Sequence, residues 1–165
     1  MPMQAYPESA AEVRDGKEKL RLWLRLLDCT HQIERIVRAR FREDFGITLP
    51  RFDVLAALDR FPEGLTMGQL SRRLRVSQGN VTGIVERLAS EGEVRRWNPP
   101  GDRRTFYIAL TEQGQANFDR MAAAHQAWID DLLAGREPEE ITQLQALLVR
   151  ARSSAEAEEK SHGHA

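Results

Sequence analysis

The sequence predicts a mainly α-helical fold with one small β-hairpin, and three observations carry that class. Apolar residues recur at helical spacing through most of the 165 residues. Thr66, Ser77 and Thr111 each stand just before such a pattern, where a hydroxyl can cap a helix. Two short runs, 94–97 and 105–110, flank the breaker loop Asn98-Pro99-Pro100-Gly101-Asp102 and read as strands.

The elements follow in order. Residues 1–16 contain Pro2, Pro7 and Gly16 with little periodicity and are expected to be flexible. From 17 to 45, Leu20, Trp23, Leu24, Leu27, Ile33, Ile36, Val37, Phe41 and Phe45 mark a long helix that ends near Gly46. A second helix after Pro50 turns Phe52, Val54, Leu55 and Leu58 inward and stops at Pro62-Glu63-Gly64. Thr66 caps a short helix with Met67, Leu70 and Leu74. Ser77 caps the next, which buries Val81, Ile84, Val85 and Leu88 and ends at Gly92. After the hairpin, Thr111 caps a long helix through Phe118, Met121 and Trp128; Gly135 and Pro138 break it, and a last helix spans about 139–152. The polar tail 153–165 is expected to be disordered.

Length and composition suit one soluble domain, here 17–152, with 41% hydrophobic and 30% charged residues. No apolar run of about 18 residues and no secretion signal are visible, so a cytoplasmic protein with no membrane contact is expected. A single cysteine, Cys29, excludes an intrachain disulfide and a cysteine-cluster metal site. No phosphate loop, metal-ligand spacing or nucleophilic triad motif is present, so no enzyme, cofactor or metal is expected. The net charge of −1 hides a segregation. Residues 66–110 hold eight arginines against four acidic residues, a local +4 that leaves −5 for the rest. A basic segment in an acidic frame is the footprint of a polyanion binder.

Two short helices joined by a turn and followed by a hairpin make a winged helix-turn-helix over 66–110. In such a module the second helix enters the major groove of double-stranded DNA. Ser77, Gln78, Asn80, Thr82 and Arg87 lie on its exposed side with Gly83 and Glu86; amides and the threonine methyl suit base edges. Arg72, Arg73 and Arg75 are placed for the phosphate backbone. Asp102, Arg103 and Arg104 sit at the hairpin tip, where Asp102 can brace Arg104 for a narrow minor groove. The flanking helices, 17–45 and 111–152, carry surplus apolar residues (Leu20, Leu26, Leu132, Leu133, Ile141, Leu144, Leu147, Leu148), which suits a twofold homodimer.

The segment GNVTGIVERLASEGEVRRWNPPGDRRTFYIALTEQG resembles the MarR family of winged-helix transcriptional regulators. It carries the VT recognition helix running into RL, then P-x-DRR and LT-x-x-G; the doubled Pro99-Pro100 departs from the usual loop. The resemblance spans about 20–152 and is densest over 70–114. It implies an obligate dimer joined through the first and last helices, a palindromic operator, usually repression, and Arg104 as the minor-groove residue. It also implies release by a small aromatic compound. Trp23, His31, Phe52, His125 and Trp128 are the candidates to line that ligand site, although residues of these types at helical spacing more often belong to the core.

The phrases TLPRFDVLAAL, GLTMGQLSRRL and MAAAHQAWIDDLL are similar to a subgroup that controls aromatic-acid catabolism, several members of which answer to aromatic acyl-CoA thioesters. In that case Arg38, Arg40 or Arg42 would meet CoA phosphates. Two alternatives stay open. Cys29 could act as a redox sensor, although its apolar neighbours Leu26, Leu27 and Ile33 suggest a buried, inert thiol. The module could instead dock proteins without binding DNA.

Overall fold

The computed structural model describes residues 10–74, 78–101 and 105–162. It is mostly helical with one two-stranded antiparallel hairpin, and it divides into two compact units at Trp128/Ile129.

In the first unit, α1 (Ala10–Phe45) starts earlier than expected, because Ala10, Ala11 and Glu12 are strong helix formers. This corrects the flexible segment at 10–16; residues 1–9 lie outside the described residues. Among the α1 side chains described (17–45), the buried ones are Val37 and Phe41, in the C-terminal third of the helix. Farther back, Leu20, Leu22, Trp23 and Leu24 are each more than half exposed. Cys29, expected to be buried, is exposed as well. Helical spacing shows that an apolar stripe exists but not that this chain covers it.

α2 (Leu49–Asp59) has Pro50 in its first turn, where a missing N–H costs nothing. It buries Phe52, Val54, Leu55 and Leu58. α3 (Met67–Leu74) opens on a reciprocal cap: Gln69 N–H donates to Thr66 Oγ1 at 3.3 Å, and Thr66 N–H donates to Gln69 Oε1 at 2.8 Å. α4 (Gln78–Ser90) packs Val81, Val85 and Leu88 against α2 and α3, all three fully buried. Ser77, the expected cap of α4, lies outside the described residues.

β1 (Val94–Trp97) pairs with β2 (Tyr107–Leu110) in the register Val94↔Leu110 to Trp97↔Tyr107. β2 is two residues shorter than expected because pairing stops at Tyr107. Leu65 joins the sheet through two 2.9 Å bonds with Ile108, which ties the segment before α3 to the hairpin. Gly64 makes that approach possible: at φ +93° a Cβ there would lie 2.7 Å from Ile108 O.

α5 (Glu112–Leu132) is capped by Thr111, whose Oγ1 accepts from Gly114 N–H at 3.0 Å. It buries Phe118, Met121 and Trp128. Phe41 is the hub of an aromatic cluster, 4.5 Å from Phe52, 5.0 Å from Trp128 and 5.7 Å from His125 between ring centres.

The second unit holds the end of α5 and α6 (Pro138–His162). No residue of α6 is buried, and Leu144, Leu147, Leu148 and Val149 are 44–64% exposed. α6 continues through residues expected to be a disordered tail. The reason is local: Ala155, Glu156, Ala157, Glu158, Glu159 and Lys160 favour helix, and Arg152 pairs with Glu156 at 2.7 Å one turn on. Residues 163–165 lie outside the described residues.

Candidate nucleic-acid interface

α4 is two-sided because its sequence is. Val81, Val85 and Leu88 seat one face in the core, and the same spacing turns Gly79, Asn80, Thr82, Gly83, Glu86 and Arg87 to solvent. At Gly79 and Gly83 a Cβ would meet nothing within 4 Å. Packing inside the chain therefore gives no reason for either glycine; a surface brought close from outside would.

Arg72 and Arg73 are exposed in the last turn of α3. The Arg73 guanidinium lies over the Phe61 ring, 4.0 Å from its centre, so its planar head is held in place by the stack. Gln78 is the first residue of α4. Arg75, Ser77, Asp102, Arg103 and Arg104 lie outside the described residues. The base of the hairpin is firmly built: Trp97 and Tyr107 stack at 5.3 Å, and Asn98 Nδ2 donates to Thr105 O at 3.0 Å. Arg95 and Arg96 are exposed on β1, adding positive charge beside α4.

The turn between α4 and β1 carries an ion network that sequence reasoning missed. Arg51, on the first turn of α2, pairs with Glu91 and lies 3.2 Å from Glu93 Oε2. Asn117 Nδ2 of α5 donates to Glu93 Oε1 at 2.9 Å. Glu93 is the only buried charged residue among those described. The hydrogen bond from Arg51 holds the Glu91 carboxyl below its ordinary range. The network borders a cleft of about 310 Å³ between the start of α2, the α4–β1 turn and α5. No local motif marks it, since Arg51 and Glu93 are 42 positions apart in the sequence.

The ligand candidates do not form one group. Phe52, His125 and Trp128 meet in the aromatic cluster, where burial pushes the His125 imidazole below its ordinary range. Trp23 and His31 are exposed on α1. At a rise of ~1.5 Å per residue they stand roughly 27 and 15 Å along the helix from Phe41. Arg38 pairs with Glu34 at the rim of a separate cleft of about 590 Å³ that Thr48, Pro50 and Asp53 also line. Arg40 lies over the Trp128 ring at 5.9 Å, and Arg42 is exposed. Among the described residues, no group of three acidic, histidine or cysteine side chains could hold a metal, and no helix is long and apolar enough to cross a membrane.

Comparison with known proteins accords with this geometry. Residues 45–105 match the family model described as MarR family. An HTH-type transcriptional regulator of Bacillus cereus is 30% identical over 151 residues, covering 89% of this chain and 97% of that protein. The transcriptional activatory protein BadR of Rhodopseudomonas palustris is 32% identical over 112 residues, 66% of this chain and 63% of its own length. The crystal structure of a MarR family transcriptional regulator from Silicibacter pomeroyi aligns with a TM-score of 0.71 at 29% identity, over 86% of this chain and 97% of that one. With two short helices followed by a paired-strand wing, and with the Bacillus cereus regulator 30% identical over 89% of this chain, the protein belongs to the MarR family of transcriptional regulators.

Proposed function

We propose that the protein is a sequence-specific transcriptional repressor that binds a palindromic operator as a homodimer and is released by a small aromatic acid or its acyl-CoA thioester. The observation that carries the DNA-binding part is the solvent face of α4. It has Asn80, Thr82 and Arg87 on a core-seated helix and two glycines that no internal contact explains. In this reading Asn80 and Thr82 meet base edges, with Ser77 and Gln78 at the helix start. Arg72, Arg73, Arg75 and Arg87 hold phosphates, and Arg103 and the Asp102-braced Arg104 reach the minor groove.

Dimerisation is supported by the exposed apolar side chains of α1 and α6, which a second copy would cover. The aromatic effector is supported by the ring cluster of Phe52, His125 and Trp128. Arg38, at the rim of the separate cleft lined by Thr48, Pro50 and Asp53, can meet a carboxylate or a CoA phosphate. A second reading rests on Cys29, whose exposure leaves it open to oxidants.

Selection of bound duplexes from a random pool tests the function. An inverted repeat should be enriched, and adding aromatic acids or their CoA esters should release it. Recovery without sequence preference would refute the assignment. Release by peroxide that Cys29→Ser abolishes would favour the redox reading over the carried ligand. In vitro transcription from a promoter overlapping the repeat decides between repression and the activation named for the Rhodopseudomonas relative.

A further inference from the structure

The buried stripe of α4 fixes how deeply the helix sits, but its angle also depends on where its C-terminal end is held. That end is the turn 91–93, and two other helices grip it. From α5's first turns, Thr111 Oγ1 donates to Gly92 O at 2.6 Å and Gln113 Nε2 to Glu91 O at 3.1 Å. Thr111 N–H donates to Glu93 O at 3.0 Å, and Asn117 holds the Glu93 carboxylate. From α2, Arg51 reaches both Glu91 and Glu93. Its side chain is only 15% exposed, and that of Glu93 only 10%.

The network is incompletely satisfied. Arg51 Nε and Glu93 Oε2 are buried without a hydrogen-bond partner, so the 3.2 Å approach is an ion pair lacking an aligned bond. Removing either partner of such a pair strands the other's buried charge, so the joint depends on both. Arg51 also borders the groove beside Gly79, Asn80 and Gly83. It therefore stands between the DNA-facing helix and α5.

We infer that Arg51 is a positioning residue for the recognition helix: by bridging Glu91 and Glu93 it fixes the α4–β1 turn against α5, so that a displacement of α5 is passed to α4. The inference rests on the DNA-binding reading for its consequence, but the joint itself exists in the free protein. The test compares wild type with Arg51→Met, Arg51→Lys and Glu93→Gln. Readouts are operator affinity between about 50 and 200 mM salt, amide hydrogen exchange over 84–93 without DNA, and melting temperature.

Arg51→Met should lower operator affinity about tenfold or more with an unchanged slope against salt, because no phosphate contact is lost. Exchange over 84–93 should accelerate. Arg51→Lys, which keeps the charge but lacks the two-ended fork, should recover part of both effects. A salt slope shallower by about one unit would show a direct phosphate contact and overturn the inference. So would a lower melting temperature with unchanged affinity of the folded protein. If wild type enriches no operator, the DNA reading fails separately. Unchanged exchange over 84–93 in Arg51→Met would still refute the joint.

Discussion

Gly114 sits so tightly against Glu93 that a Cβ on it would fall 1.9 Å from the Glu93 carbonyl oxygen. The contact joins the first turn of α5 to the turn between α4 and β1. Gly114→Ala must push the two apart, and such overpacking costs about 1–3 kcal/mol. Urea denaturation should show that loss, and DNA affinity should fall with it. A variant as stable as wild type would mean that the two elements yield without strain.

Gly83 presents the opposite case. It is exposed in the interior of α4 with open space at its Cβ, so Gly83→Ala should stabilise the fold by about 0.5–1 kcal/mol through helix propensity. If DNA approaches that face closely, the same methyl should weaken operator binding. Opposite signs in denaturation and in fluorescence anisotropy are the expected pair. A stabilised variant that binds DNA as wild type does would remove Gly83 from the interface.

The His125 imidazole is packed among Phe41, Phe52 and Trp128, and burial disfavours its charged form. Its pKa in the folded state is therefore below its unfolded value of about 6.5. Below that pH the unfolded chain takes up a proton that the folded chain resists, so stability present at neutral pH is lost as pH falls. The free energy of unfolding should drop between pH 7.5 and 5.5 in wild type and less steeply in His125→Phe. Equal slopes would rule out His125 as the source.

The wing reading predicts that Arg104→Ala weakens operator binding by about 1–3 kcal/mol and lessens the preference for narrow minor-groove flanks. Arg72→Ala should lower affinity evenly across sequences, with a shallower salt dependence. Titrations against a repeat with A-tract flanks and one without would separate the two. Equal losses on both duplexes for Arg104→Ala would make it a backbone contact.

The sequence disclosed what local chemistry controls. The Thr66 and Thr111 caps, the inward faces of α2 and α4 and the strand pair all follow from short-range spacing, except that Ile84 of α4 is only half-buried and β2 starts two residues late. One boundary and one burial differ from expectation for opposite reasons. Polar composition suggested a tail without structure where alanine and glutamate sustain a helix, and an apolar neighbourhood suggested burial for Cys29 on a stripe that this chain leaves open. The Arg51–Glu91–Glu93–Asn117 network was invisible because its members come from three separate elements and become neighbours only once the core has formed.

The most direct test of the account is duplex selection from a random pool with wild type and with Asn80→Ala, at one fixed salt concentration. Wild type should enrich an inverted repeat, and Asn80→Ala should enrich the same repeat with discrimination lost at one symmetric pair of positions. No enriched repeat, or identical repeats from both proteins, would contradict the assignment of the α4 face as the surface that reads DNA.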